Sequence, residues 1–380
     1  MAIGAAATVV TLLPMFLTGA LAVQLTEELA FGAVGLGVAV ALHRAGAAAT
    51  APFLGRLSDH LGAARSIRIA SVAAVVSSLG IAVAPGWAAL AGWLTVAGAS
   101  NALAQPAANR LLSNLVPLGR LGTAFGLKQS APPIAALLAG VSVPLIGVTV
   151  GWRWAYVLVA VASLAVIFTT RPPPSRAAPR RSGRGTMPPL TGRRQLLVVT
   201  IAYAFGNLSN SAATTFYVDS AVRAGSSPAF AGTMLAIASL TAVGVRIVSG
   251  VVSDRMVSGH LRLCAVLLLA GATGCVGLAH PATWTTTAGI VVALAGTWGF
   301  QGVFWYALVR LYPDSPGRLT GAVFPGGLIG GTLGPSLFGL IADTQGRAPA
   351  WVAIGLVAVI AGVLMFAGAR GLASRRPTAA

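Results

Sequence analysis

The sequence predicts an all-α membrane protein with twelve transmembrane helices arranged as two six-helix bundles. Of its 380 residues 56% are hydrophobic and only 8% are charged, whereas a soluble domain carries about 25% charged residues. Apolar stretches recur that are long enough to span a hydrocarbon core, which needs about 20 residues per helix. A short polar motif also occurs twice, around Asp59 and Asp254, which indicates a duplicated unit of membrane helices.

Breaks at charged, proline and glycine clusters separate the apolar stretches from one another. The predicted spans are 3–24, 32–55, 66–84, 88–110, 122–147, 154–170, 195–217, 229–250, 262–279, 284–309, 319–341 and 350–369. We therefore expect an N-terminal bundle in residues 1–170 and a C-terminal bundle in residues 195–380. The intervening segment 171–194 is rich in Pro and Arg. It is predicted to be a cytoplasmic linker that lies against anionic lipid headgroups.

Apart from Arg44 and Arg246, the arginines lie outside or at the ends of the predicted spans and are unevenly divided between the two sides. One side carries 19 of them, and the other carries only Arg153, Arg223 and Arg347. Arginine-rich loops stay in the cytoplasm, so we expect a multi-pass protein of the cell membrane, inner or plasma, with both termini cytoplasmic. No basic run is interleaved with aromatic residues, so the net charge of +18 does not indicate nucleic-acid binding.

The duplicated motif reads Gly55-Arg56-Leu57-Ser58-Asp59-His60 in the first half and Gly250-Val251-Val252-Ser253-Asp254-Arg255 in the second. A carboxylate at a membrane-water boundary can cap a neighbouring helix or pair with an arginine. We therefore predict a gating latch on the cytoplasmic side, formed by Asp59 and Asp254 with Arg110 and Arg310. The alternative is that each aspartate only marks a loop.

The paired motifs and the six-plus-six layout resemble the major facilitator superfamily over nearly the whole chain. Further similarities are Trp152-Arg153-Trp154 at the start of the sixth span, Pro106 in the fourth, and the glycine-proline pattern of the eleventh. That pattern comprises Gly327, Gly330, Gly331, Gly334, Pro335 and Gly339. The resemblance implies the fold of that family and a secondary transporter that works by alternating access.

The chain also departs from this family in three places. The family's first loop usually runs Asp-Arg-x-Gly-Arg-Arg, whereas here the sequence is Asp59-His60-Leu61-Gly62-Ala63-Ala64. The fourth-span arginine of proton-driven drug exporters, expected near Leu94, is absent. The glycine-rich pattern of their fifth span is replaced by Leu127-Lys128-Gln129-Ser130-Ala131-Pro132-Pro133. The last two departures count against multidrug export.

Three basic residues, Arg44, Lys128 and Arg246, lie inside predicted spans, and no Asp or Glu lies deep in any span. Charges within a membrane are costly and mark functional sites, so these cations predict an anionic substrate. Arg44, near the bilayer midplane, is the first candidate because arginine holds a carboxylate through two parallel hydrogen bonds. Alternatively it is a structural arginine that is bonded to main-chain carbonyls.

The other two cations also have two interpretations. Arg246-Ile247-Val248-Ser249-Gly250 resembles the R-x-x-x-G of monocarboxylate transporters, in which the arginine binds the substrate. The acidic residue that those proteins place one turn earlier is replaced by Ala242. Arg246 could instead be an inner-gate residue near Asp254, and Lys128 could reach the cytoplasmic headgroups.

Neutral polar residues at helical spacing are predicted to complete the substrate site. Side chains three or four residues apart share a helix face, and such stripes suit a water-filled cavity. The alternative for each residue is a hydrogen bond between helices. The candidates are Asn101, Gln105 and Gln129 in the first half and Tyr203, Asn207, Trp298 and Gln301 in the second.

The leading hypothesis is a secondary transporter of a small organic or inorganic anion. Its partners would be that substrate, the lipid bilayer, and protons or a counter-ion. No nucleotide-binding loop of the form G-x-x-x-x-G-K-[ST] and no catalytic motif occurs, so we expect no enzyme, no cofactor, and no catalytic or metal site. The alternatives are an exporter of lipophilic or amphipathic compounds and a transporter-like membrane sensor.

Overall fold

The structure is a computed structural model that describes residues 2–115, 130–170, 193–311 and 316–373. The N-terminal part contains helices α1 (Ala2–Ala20), α2 (Ala22–Glu28), α3 (Ala33–Leu61), α4 (Ala63–Ala82), α5 (Trp87–Leu115), α6 (Ala131–Ser142, continued by a π-helical turn, Val143–Gly147) and α7 (Trp152–Thr169). The C-terminal part contains α8 (Arg193–Arg223), α9 (Pro228–Arg255), α10 (His260–Gly277), α11 (Thr283–Leu311), α12 (Pro316–Thr344) and α13 (Arg347–Ala373).

The described residues form helices and turns, and the predicted all-α membrane fold is confirmed. Ten of the described helices are long and apolar enough to cross a membrane. Most helices extend past the ends of the predicted spans, because polar residues at a membrane surface can continue a helix. As a result Asp59 and Asp254 lie in the last turns of α3 and α9 and not in loops. The beginning of the predicted span 122–147 and most of the linker 171–194 lie outside the described residues.

Helices α3 and α9 each lead through a short turn into the next helix, and each turn contains a left-handed glycine. Gly62 follows α3 directly with a φ of 78°, and Gly259 precedes α10 with a φ of 90°. Glycine adopts this conformation without the steric cost that a Cβ imposes. Both turns that follow the duplicated motifs therefore use a glycine with a positive φ, although ψ differs, 162° at Gly62 and 9° at Gly259.

The helices pack as two groups, α1–α7 and α8–α13, with a symmetric set of contacts between them. Helix α3 packs against α12, α6 packs against α9, and α1 packs against α8. In the numbering of the predicted spans these are the second with the eleventh, the fifth with the eighth, and the first with the seventh. Each half therefore presents corresponding helices to the other, as expected for two repeats related by a two-fold axis.

Each group is clamped by a carboxylate at the end of its first span and an arginine at the start of its last. In the N-terminal group Glu28 forms an ion pair with Arg153 and accepts a hydrogen bond of 2.5 Å from Trp152 Nε1. In the C-terminal group buried Asp219 accepts hydrogen bonds from Arg223 Nε at 2.9 Å and Arg347 Nε at 3.0 Å. The hydrogen bonds from Trp152 and Arg153 lower the pKa of Glu28, so this clamp remains charged at neutral pH.

Both clamps lie at the same end of the molecule, which we call the Asp343 end. It contains the turns at residues 29–32, 148–151, 224–227 and 345–346, and the opposite end, which we call the linker end, contains Gly62, Gly259 and the start of α8. The glycines that pack closely against the other group, among described residues, lie in the half of the molecule toward the Asp343 end. They include Gly37 with Pro335, Gly339 with Ala33, Gly19 with Thr215, and Gly140 with Gly232 and Ala236.

Candidate functional site

Arg44 lies near the middle of α3 and reaches the opposite half of the molecule. Its guanidinium group lies against Gly331 of α12, where a Cβ on the glycine would come within 2.7 Å of Nη1 and 2.9 Å of Cζ. The buried Nε of Arg44 has no hydrogen-bond partner among the described residues. In the described part of the chain the guanidinium is not held by main-chain carbonyls, so the structural alternative for this residue has no contact that supports it.

Arg246 lies in the second half of α9, toward the linker end, and is only 7% exposed. Its Nη2 donates a hydrogen bond of 3.1 Å to Oε1 of Gln301 on α11, and Gln301 Nε2 donates one of 3.2 Å to Oδ1 of Asn207 on α8. Asn207 Nδ2 in turn donates to the carbonyl oxygen of Tyr203 at 2.8 Å. Four of the predicted site residues are therefore joined in one network that orients the Arg246 guanidinium.

Tyr203 on α8 lies close enough to both arginines to interact with each of them. Its side chain interacts electrostatically with both Arg44 and Arg246 and packs edge-on against Trp305. Its ring stacks on Phe304 with a centroid distance of 4.6 Å and an interplanar angle of 3°. Tyr203 thus links a cation of the N-terminal half to a cation of the C-terminal half and is itself fixed by aromatic packing.

Three residues of α11 at helical spacing, Trp298, Gln301 and Trp305, face this centre at three depths. Buried Trp298 packs edge-on against Phe16 of α1, with ring centroids 6.0 Å apart, and so joins the two halves toward the Asp343 end. Gln301 contacts Arg246 at the middle depth. Trp305 lies nearest the linker end and packs on Tyr203 at 5.5 Å.

The polar residues of the N-terminal half are used mainly inside their own group. Asn101 Nδ2 donates a hydrogen bond of 3.0 Å to Thr11 Oγ1, and His43 Nε2 lies 3.3 Å from the carbonyl oxygen of Thr11. These contacts join α1, α3 and α5. Asn101 therefore forms a hydrogen bond between helices, which is the alternative to a place in the substrate site. Gln105 lies one turn farther along α5 and is partly buried. Lys128 and Gln129 lie outside the described residues.

The predicted gating residues at the linker end are not joined in the described part of the chain. Asp254 is exposed, and no ion pair links it to Arg310. Arg310 instead donates a hydrogen bond of 3.3 Å to the hydroxyl of Tyr306. Asp59 lies within α3 and Arg110 lies within α5, but the structure does not describe the side chain of either residue. The latch therefore stays a prediction. It would form in a conformation in which the linker end of the molecule is closed.

A contact at the opposite end of α3 was not anticipated from the sequence. Asp343, in the last turn of α12, accepts hydrogen bonds from the backbone N–H groups of Ala33 at 3.1 Å and Val34 at 2.8 Å. The N-cap residue of α3 is Gly32, which has no side chain to do this. A carboxylate from one half thus caps a helix of the other half.

A cavity of about 450 Å³ lies away from this centre, between α9 and α10, and has a largely apolar lining that includes Gly244, Val248 and Leu267. Its lining contains neither Arg44 nor Arg246. Within the described ranges no group of three or more His, Cys, Asp or Glu residues is placed to hold a metal ion. The charged centre between the two halves is therefore the candidate site.

These features define an integral, multi-pass membrane protein with a polar centre between two helical groups. Residues 4–335 match the sequence model of the Major Facilitator Superfamily. The chain belongs to this family, as the motifs predicted, and its fold is that of a transporter. Such transporters bind small-molecule substrates.

The fold is similar to those of solved transporters. A bacterial homologue of the human lysosomal transporter Spinster, inward-facing and unoccupied, is 14% identical with a TM-score of 0.78, covering 100% of this chain and 98% of that one. Its inward-facing, occupied form is 15% identical with a TM-score of 0.76, covering 99% and 98%. A D-xylose-proton symporter is 17% identical with a TM-score of 0.73, covering 96% of each chain. No curated protein matches the sequence.

Proposed function

We propose that this protein is a secondary transporter that moves a small anion across the membrane by alternating access. The observation that carries the proposal is the pair of arginines, Arg44 and Arg246, that face Tyr203 from opposite halves. A solute that bound both arginines would bridge the halves. Its binding energy would then differ between conformations, which is the requirement for a ligand to shift a conformational equilibrium.

The positions of the acidic residues support an anionic substrate. The sequence contains seven, and the six that fall in the described residues lie at or near helix ends: Glu27, Glu28, Asp59, Asp219, Asp254 and Asp343. None of these six lies in the middle of a described helix, as Arg44 does in α3. A central arginine costs at least about 2.5 kcal/mol even on insertion scales, and an anion that entered the centre would offset part of this cost.

The distribution of contacts between the halves supports alternating access from the linker end. The glycine contacts and the Asp343 cap close the Asp343 end, while Asp254 and Arg310 are unpaired with each other at the linker end. If the linker end is cytoplasmic, as the arginine distribution predicts, this state opens toward the cytoplasm. Transport would be driven by an ion gradient or by exchange.

The proposal is tested by solute flux into proteoliposomes that contain the purified full-length chain. The panel comprises phosphate, acetate, benzoate, a neutral sugar and a lipophilic cation. We expect flux of at least one anion, which Arg44→Ala removes because no other described group replaces its charge. Arg56→Ala is the matched control, since Arg56 is an exposed arginine of the same helix, and this variant should retain flux.

Two results would overturn the proposal. Flux of the lipophilic cation or the sugar, but of no anion, with no effect of Arg44→Ala would assign the protein to another substrate class. Saturable binding of an anion without flux of any solute would indicate a sensor and not a transporter.

A further inference from the structure

We propose that the transported anion is an aromatic carboxylate. This inference rests on the proposed function and names its substrate class. The carboxylate would bind Arg44 and Arg246, and the ring would lie against Trp305 and Phe324, which are partly exposed on the linker-end side of the arginines. A small inorganic oxyanion would leave this aromatic surface uncovered.

The face of α12 that contacts the arginine centre also bears Phe324. Phe324, Gly327 and Gly331 follow one another at spacings of three and four residues, so they share one face of the helix. A Cβ on Gly331 would meet the Arg44 guanidinium, and a Cβ on Gly327 would meet the Tyr203 ring. Because both glycines face the centre, Phe324 also faces it, and its side chain is 46% exposed.

The matching face of α11 holds Trp305 in a fixed position beside Phe324. Trp305 packs against Tyr203 at 5.5 Å, against Phe304 at 5.5 Å and against Phe324 at 6.4 Å. Tyr203 and Phe304 are buried, whereas Trp305 is partly exposed. The buried rings therefore form a rigid support, and Trp305 and Phe324 form its accessible edge. Aromatic rings prefer such offset or edge-on partners, with centroids about 4.5–7 Å apart.

The spacing along the helices gives the length of the substrate. Gln301 and Gly331 mark the level of the arginines, because they contact Arg246 and Arg44. Trp305 lies four residues beyond Gln301, and Phe324 lies seven residues before Gly331. At 1.5 Å per residue the two aromatic rings are therefore about 6–10 Å from the arginines along the helix axes. A carboxylate attached to one aromatic ring, or to two fused aromatic rings, covers this distance. At the other end of the site Phe16 and Trp298 are buried against each other, so the ring has to extend toward the linker end.

The test measures the affinity of the purified full-length protein for phosphate, acetate, benzoate and naphthoate by calorimetry. We expect affinity to increase from acetate to benzoate to naphthoate. Trp305→Ala should weaken naphthoate binding about tenfold, by loss of ring contact, and weaken acetate binding much less, because acetate has no ring. Trp305→Phe, which keeps a ring, should restore much of the difference, and Phe324→Ala should act in the same direction as Trp305→Ala.

The matched control is Trp284→Ala, because Trp284 is on the same helix, near the Asp343 end, and is 74% exposed. This variant should bind all four anions as the native chain does. Equal affinity for acetate and naphthoate, or an equal loss of both in Trp305→Ala, would overturn the aromatic assignment while the anion proposal stood. Absence of binding by every anion would instead reject the proposed function itself.

Discussion

At the scale of single residues, the chemistry of Arg44 determines what the centre can bind. Arg44→Lys keeps the positive charge but loses the planar pair of donors that matches a carboxylate. We expect a dissociation constant about tenfold higher for Arg44→Lys and about a hundredfold higher for Arg44→Gln, corresponding to about 1.4 and 2.7 kcal/mol. Calorimetry with benzoate measures both, and equal affinity of the two variants would contradict bidentate binding.

Gly331 provides a second test at the same scale. Gly331→Ala would place a methyl group 2.7 Å from Arg44 Nη1 and 2.9 Å from Cζ, so the guanidinium would have to move. We expect anion affinity to fall about tenfold, since charge-assisted hydrogen bonds depend on alignment. The control is Gly92→Ala, because a Cβ at Gly92 meets nothing within 4 Å among described residues. Unchanged affinity in Gly331→Ala would place the anion away from Arg44.

At the scale of helices, the Asp343 cap of α3 stabilises closure of one end. Asp343→Ala removes the acceptor for the N–H groups of Ala33 and Val34, and loss of an N-cap costs about 0.5–2 kcal/mol. We expect the population open at the Asp343 end to rise severalfold. Distance measurements between spin labels at that end of α3 and α12 detect this change. Glu27→Ala, an exposed carboxylate at the same end, should leave the distance distribution unchanged.

Asp254 is expected to stabilise closure of the linker end, whereas Asp343 stabilises closure of the opposite end. In the present state it is exposed and not paired with Arg310, so Asp254→Asn should leave this state intact and destabilise the one in which the linker end is closed. The measurement is thiol labelling of Gly55→Cys, a position on α3 with nothing within 4 Å among described residues. Labelling should become faster in Asp254→Asn, and an equal rate would contradict the latch.

The helices themselves could largely be predicted from the sequence, but their ends could not. Apolar length located each span in the described ranges, because hydrocarbon thickness fixes the length that a span needs. Asp59 and Asp254 were expected in loops, yet both lie in helical last turns. A charged residue marks where a helix reaches the membrane surface, but the helix can continue beyond it. Helix α3 continues past Arg56 and Asp59 and ends only before Gly62.

The site was predicted in part, for a similar reason. Tyr203 and Asn207 share one face of α8, and Trp298 and Gln301 share one face of α11, as their spacing predicts. Their grouping around Arg246 did not follow from spacing. Single-helix periodicity carries no information on which helix faces which, and therefore the Asn101–Thr11 contact, the Arg44–Gly331 contact and the Asp343 cap could not be foreseen. The roles of these residues in binding and gating stay predictions.

At the scale of the whole molecule, each half is clamped at its Asp343 end, so the halves should move as rigid bodies. Asp219 is 2% exposed and binds both Arg223 and Arg347. Asp219→Ala leaves both arginines without this partner and should lower stability by about 3 kcal/mol, seen as a lower thermal transition of the purified protein. Glu28→Gln breaks a more exposed pair and should have a smaller effect. Equal transitions in the two variants would contradict the assigned difference in burial.

The central claim is that one anion is held jointly by arginines of the two halves. Equilibrium binding of radiolabelled benzoate to the native chain, Arg44→Gln, Arg246→Gln and the double variant tests it most directly. We predict that each single substitution weakens binding about a hundredfold and that the double variant is little worse than either single one, because partners of one ligand are coupled. Binding of benzoate at native affinity in both single variants would contradict the claim.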